Sequence, residues 1–370
     1  MPVSTILAST SRRTITICSL APVFAAAALA ASPAAAQSVC TVGVGGVIDC
    51  TASATTPAPP GSGTIDVTGS VDPLVVTLAD GYVANGPVNL GTIGGADIAI
   101  ISEGVSTIQN SGPGLAADSS GAINAEVTNV STTGDDATAV ALTAMDEVIF
   151  TSDGTISTIG TNSDGVAIEG QTVTADLNLV QTDGLNAQGV EIIATDGPIS
   201  LSFDTIETNG DLSNATVLRG TGDVTLTGRA LSTQGTDAIA FDISNDAAAC
   251  ILLGTGGCDV TVAAEEVTTE GFGGIGGLIA NSGDTNINIG VLRTGGDEAA
   301  GLDLSASPAS CVTLGTGACD TAFTVGALTT EGARSPGAIV RGSGDITADV
   351  GVLRTSGDEA AGLGLAVSFQ

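Results

Sequence analysis

The feature that most constrains this chain is that part of it is written twice. Residues 291–302, Val-Leu-Arg-Thr-Gly-Gly-Asp-Glu-Ala-Ala-Gly-Leu, return as residues 352–363 with one substitution, displaced by 61 positions. The same displacement carries Cys250 and Cys258 onto Cys311 and Cys319, Thr269-Glu270-Gly271 onto Thr330-Glu331-Gly332, and Ser282-Gly283-Asp284 onto Ser343-Gly344-Asp345. A period held through several separate motifs belongs to a stacked architecture, in which each copy packs on the next.

The true unit is smaller than 61. Its anchor is Thr-x-Gly, followed five residues later by Gly or Ala and then an aliphatic residue, as in Thr158-Ile159-Gly160 leading to Gly165-Val166. Counting Asn110-Ser111-Gly112 as the first, the anchor glycines are Gly112, Gly134, Gly160, Gly184, Gly210, Gly235, Gly271, Gly296, Gly332 and Gly357. Most steps are 22 to 26 residues and two are 36; those two contain the pairs Cys250/Cys258 and Cys311/Cys319. The period of 61 is therefore one plain unit plus one unit carrying an insertion. Within a unit, short runs of alternating aliphatic residues mark strands with one buried face. Gly, Asn and Asp groups between them mark corners. So small a unit buries its apolar face only by stacking on a copy of itself, with strands about 4.8 Å apart. The expected fold is all-β: a right-handed parallel β-helix of about ten rungs of ~25 residues. Tandem sandwiches need about 100 residues each. Leucine-rich repeats need a Leu/Asn signature that is missing.

The flanks divide the chain further. Arg12 and Arg13, the apolar run to Ala31 and Ala34-Ala35-Ala36 before Gln37 read as a signal peptide over residues 1–36. The general secretory route is preferred to twin-arginine export. Residues 37–105 form an irregular N-terminal cap with strands expected at 64–67, 74–78 and 97–101. Residues 106–370 form the repeat domain, expected to be truncated at its C-terminal end. Loss of Arg12 and Arg13 leaves 40 acids against six bases, with no Lys, His or Trp. Such a surface repels nucleic acid and anionic lipid. The remaining cysteines, Cys40 with Cys50, Cys250 with Cys258 and Cys311 with Cys319, are spaced as three local disulfides of an exported protein. Without His or Cys-x-x-Cys they do not suit a metal.

Little catalytic equipment is left. The absent histidine removes the commonest base, and the absent lysine removes Schiff-base chemistry. Paired carboxylates remain, and Asp297-Glu298 with Asp358-Glu359 are the best of them for cutting glycosidic bonds. They recur identically in two rungs, as a corner does and a single active site does not. Arg293 and Arg354 are read as partners of nearby acids. Turns carrying Asp223, Asp284 and Asp345 invite comparison with Ca²⁺ sites, but an Asp at a turn is explained by its own backbone hydrogen bonds. No catalytic residue, metal or cofactor is assigned.

With its Ala-rich export signal, its Thr-x-Gly rungs, its Ser-Gly-Asp corners and its lack of Lys, His and Trp, the chain resembles the passenger region of autotransporter (type V secretion) proteins. That resemblance implies a protein of the cell surface, outer membrane or medium, non-enzymatic, with adhesion, aggregation or structural display as its task. The implied partners are a host, abiotic or sister-cell surface and, should the chain be a fragment, an outer-membrane β-barrel translocator. The alternative is a β-helical polysaccharide lyase or hydrolase using paired carboxylates.

Overall fold

A computed structural model describes residues 37–42, 47–53, 65–245, 258–306, 319–342 and 344–367. The signal segment 1–36 and the inserted loops around Cys250 and Cys311 lie outside these. Among the described residues there is no helix; parallel strands stack into a β-solenoid of about 11 turns. Two sheets carry it, one of 16 strands and one of 12.

Each turn of the repeat contributes one long strand and one short one. The long strands, such as Glu147–Ile159, Thr172–Asp183, Ile199–Thr208 and Val224–Thr233, bend midway, so each supplies two faces. The pairing shows the bend: Phe203 faces Gly228, the next pair is Thr205 with Ala230, and Asp204 and Arg229 are passed over. Earlier in the rod the same two limbs are separate strands, Ile123–Val127 and Asn129–Thr133. The short strands, such as Val166–Gly170 and Val190–Ala194, form the third face. Alternation along each limb sends every second residue inward, as strand geometry requires.

Inside, like residues stand in columns. Ile156, Val180, Ile206, Leu231, Val267, Leu292 and Leu328 follow one another in seven successive turns, and none is more than 1% exposed. Leu353, next in the column, is 40% exposed because no further turn covers it among the described residues. Where phenylalanine enters, the adjoining turn gives way. Gly228 faces Phe203 and Gly277 faces Phe241, and a Cβ on either would lie 2.3 or 2.0 Å from the ring.

Stacking begins before Ser106. The strands expected at 64–67, 74–78 and 97–101 are Ile65–Ser70, Leu74–Leu78 and Ile98–Ser102, and all three already belong to the two sheets. Ahead of them, Gln37–Val42 and Val47–Ser53 form an antiparallel hairpin at the end of the long sheet. Reversed direction at that edge interrupts the parallel series and so covers one sheet end.

The anchor glycines follow from the stacking. A Cβ on Gly160, Gly184, Gly210, Gly235, Gly271, Gly296, Gly332 or Gly357 would lie 1.6 to 2.1 Å from the carbonyl oxygen of the anchor one turn below. Only a residue without a side chain allows that approach. The series starts one step later than the sequence suggests: beneath Gly134 lies the carbonyl of Ser111, and Gly112 has nothing closer than 3.6 Å.

Candidate functional site

Two residues after each anchor the backbone turns left-handed. Asp136, Asn162, Asn186, Leu212, Asp237, Gly273, Glu298, Arg334 and Glu359 all have φ between 53° and 67°. The position is therefore a fixed corner that a side chain of any kind occupies. Here Asn162 donates to Asp136 at 3.1 Å and Asn186 donates to Asn162 at 3.0 Å, while Arg334 donates to Glu298. Inside the same corner the anchor threonine closes the turn. Thr132, Thr158, Thr182, Thr208 and Thr330 each donate Oγ1 to the carbonyl five residues on, at 2.5 to 3.0 Å.

Carboxylates at the corners point along the rod. Asp135, Asp211 and Asp297 each accept the backbone N–H of the turn above, from Thr161, Thr236 and Ala333 at 2.8 to 2.9 Å. At the corner between the short sheet and the long one, Asp223, Asp259, Asp284 and Asp320 do the same. Each accepts from the aspartate above it, ending at Asp345, at 2.9 to 3.0 Å. The sequence singled out Asp223, Asp284 and Asp345; Asp259 and Asp320 fill the alternate turns. Burial, countered by the Asp284 N–H and reinforced by the charges of Asp223 and Asp284, raises the Asp259 carboxyl above the usual aspartate range. Asp164, which accepts from Gln188 N–H at 2.7 Å, is also raised, by burial first and then by Glu191.

The pairs proposed for chemistry are parts of this scaffold. Asp297 holds the turn above and Glu298 sits in the left-handed corner beside Arg334; Asp358 and Glu359 occupy the equivalent places in the last described turn. Arg293 lies 3.6 Å from Glu331. Three more arginines pair across turns: Arg219 with Asp242 by two hydrogen bonds, Arg229 with Asp204 by two, and Arg341 with Asp303 at 2.7 Å, whereas Arg354, expected to pair like Arg293, forms no ion pair among the described residues because it lies on the last described long strand, with no turn above it. Arg229 holds the Asp204 carboxyl below its ordinary value, chiefly by hydrogen bonding. Among the described residues no group of three or more His, Cys, Asp or Glu is placed to hold a metal ion.

Cys258 and Cys319 are disulfide-bonded, each with its sulfur 3.2 Å from a carbonyl of the turn below, Thr221 or Ser282. Their expected partners Cys250 and Cys311 lie outside the described residues. Cys40 and Cys50 stand directly opposite in the N-terminal hairpin, the arrangement that a cross-strand disulfide requires.

What remains exposed is lateral surface. At the bend of the long sheet a hollow of about 570 Å³ is lined by Asp153, Asp176, Asn178, Ser202, Asp204 and Thr227 among others. From Ile199–Thr208 onward the face before the bend presents two outward side chains per turn, such as Ser200 and Ser202 or Thr225 and Thr227. No family model, no curated protein and no solved structure matches the chain. By its geometry alone it is a parallel β-solenoid in which a column of aspartates, from Asp223 to Asp320, is used to tie one corner to the next.

Proposed function

We propose that this chain is an exported, non-enzymatic rod, displayed on or released from a bacterial surface in the manner of an autotransporter passenger, and that its lateral faces attach it to other surfaces. The observation that supports this reading is the engagement of the corner carboxylates. The residues a polysaccharide lyase would draw on, Asp297 and Glu298, hold the Ala333 N–H and the Arg334 guanidinium of the next turn. A rod assembled this way offers long faces with repeating chemistry rather than one enclosed cleft, which suits multivalent contact. The three Cys pairs suit the oxidising compartment that export implies. The partner is a host, abiotic or sister-cell surface, and a membrane β-barrel translocator would deliver the rod if one is joined to it.

The test is to couple the purified chain to microspheres and measure retention on glass, on plastic and on cells, alongside cleavage of a panel of acidic glycans. Retention above uncoated spheres with no cleavage is expected. Glycan cleavage that disappears in Asp297→Asn and Glu298→Gln variants would overturn the reading in favour of the lyase.

A further inference from the structure

One stretch departs from the repeat. Four residues after the anchor glycine stand Asp164, Gln188 and Asn214 in three successive turns, and Ile239, Ile275 and Ala300 in the three that follow. The side-chain oxygens of the first three accept the N–H of the equivalent residue one turn above, from Gln188, Asn214 and Ile239, at 2.7 to 2.8 Å. Each of these bonds uses only one atom of the end group. Among the described residues Asp164 keeps its second oxygen free and Asn214 its Nδ2, while Gln188 spends Nε2 on the Leu212 carbonyl at 3.1 Å. Beside them Asn186 donates to Asn162 at 3.0 Å and keeps its own oxygen. Glu191 keeps both of its oxygens: Asp242 and Asp303, farther along the same column, are held by Arg219 and Arg341, whereas Glu191 adjoins Ala167 and Val217 in register. Asp164, Asn186, Gln188, Glu191 and Asn214 all line one open hollow of about 340 Å³, where the corner meets the short sheet.

We infer that this hollow binds a short run of neutral sugar units. The inference rests on the surface-attachment reading above and names the chemistry of one surface that the rod holds. The unused atoms select the ligand. Oxygens that accept, on Asp164, Asn186 and Glu191, stand beside an amide that donates, on Asn214, and a sugar hydroxyl does both. An anionic glycan is repelled by Asp164 and Glu191 and by a chain of net charge −32. A peptide finds no apolar recess for its side chains, since Val217, the apolar residue of the lining, is only 7% exposed. The volume lies at the low end of the roughly 300–1,000 Å³ of small-ligand sites, which suits a few sugar rings and not a long chain. With no aromatic platform a single contact is weak, so holding depends on many rods presenting the same hollow. A corner recurs turn after turn, whereas this set of side chains occurs once among the described turns, as a ligand site does.

Microspheres densely coated with the whole chain test this on immobilised dextran, mannan and galactan, which are neutral, and on polygalacturonate, which is acidic. Retention on at least one neutral polysaccharide, unaffected by added salt because no ion pair is screened, and none on polygalacturonate are expected. Asn214→Asp keeps the oxygen that accepts the Ile239 N–H and replaces the free donor with an acceptor. Glu191→Gln keeps the shape of the side chain and turns one acceptor into a donor. Each should weaken retention about tenfold, the loss that one mismatched polar group causes. Asn288→Asp, the same exchange on the exposed long-sheet face, should retain as the unaltered chain does. Unchanged far-ultraviolet circular dichroism shows that each variant keeps its fold. Retention on no neutral polysaccharide, equal retention on polygalacturonate, retention that salt abolishes, retention unchanged in either hollow variant, or an equal loss in Asn288→Asp overturns the inference. Any of these outcomes with retention on glass, plastic and cells intact would leave the attachment reading standing.

Discussion

The left-handed corner and the anchor threonine make sharp predictions at the scale of single residues. Leu212 occupies the corner with φ 58° while 49% exposed, so it carries the strain of a left-handed backbone without burying its side chain. Asparagine tolerates that conformation better and would continue the run of Asn162 and Asn186 below it. Leu212→Asn should raise stability by about 1 kcal/mol, read as a higher denaturant midpoint at unchanged slope; a lower midpoint would refute the assignment of strain. The threonines divide into two sets. Thr208 closes its corner by a hydrogen bond, whereas Thr233, Thr269 and Thr294 are buried with no partner for Oγ1. Removing a made hydrogen bond costs about 1 kcal/mol, whereas removing an unmet hydroxyl costs nothing or stabilises. Thr208→Val should therefore destabilise and Thr269→Val should not, and equal losses in the two would contradict the division. The sequence showed the threonines as a repeated letter, but which of them bond depends on the corner carbonyl, which no spacing reveals. It also hid the left-handed position, since natural side chains as different as Asp, Leu and Arg fill it and only Gly273 carries the usual glycine signal.

At the scale of the strand and its neighbours, a turn is specified by what the adjoining turn leaves room for. Phe241 is fully buried and lies over Gly277, so the two residues form one packing unit although 36 positions separate them. A methyl group at Gly277 would meet the ring at 2.0 Å, and the ring is enclosed on its other sides. Gly277→Ala should cost roughly 1–3 kcal/mol, the range for overpacking a filled core. Trimming the ring in the double variant Gly277→Ala/Phe241→Leu should recover part of the loss, measured as a coupling in a double-mutant cycle. Strictly additive losses would show that the two do not share the space. Anchors such as Gly210 were legible in the sequence because the closeness of carbonyls at every turn forbids any other residue. The turns before Ser106 were not, because their corners are made without that anchor: Gly104 abuts the Asp80 side chain instead. Asp259 and Asp320 escaped notice for a related reason, since each follows an insertion that breaks the count from one aspartate to the next.

For the whole molecule the governing fact is that like charges are stacked along a rod. Neighbouring aspartates in the column from Asp223 to Asp345 are held about one strand spacing apart, ~4.8 Å, and at Asp259 burial, with the charges on either side, outweighs the backbone N–H it accepts. Asp164 and Asp259 bind protons more readily folded than unfolded. A group whose folded value is raised contributes stability that is complete below its unfolded value, about pH 3.9, and lost as the pH rises through the folded value. Asp204 runs the other way. Arg229 lowers it, so its contribution is present above the ordinary aspartate value and disappears as the pH falls through the lowered one. The melting temperature should accordingly rise as the pH is taken from 7 toward 4.5, where self-repulsion and the raised carboxyls are both relieved while the Arg229 pair is still charged. It should fall again in stronger acid. Asp259→Asn should flatten the rise, because the amide keeps an acceptor for Asp284 N–H and removes the charge between Asp223 and Asp284. A melting temperature that declines steadily from pH 7 to 4.5 in the unaltered chain would mean that the carboxylate columns hold the rod together chiefly through their ionised form, the reverse of what their burial and spacing dictate.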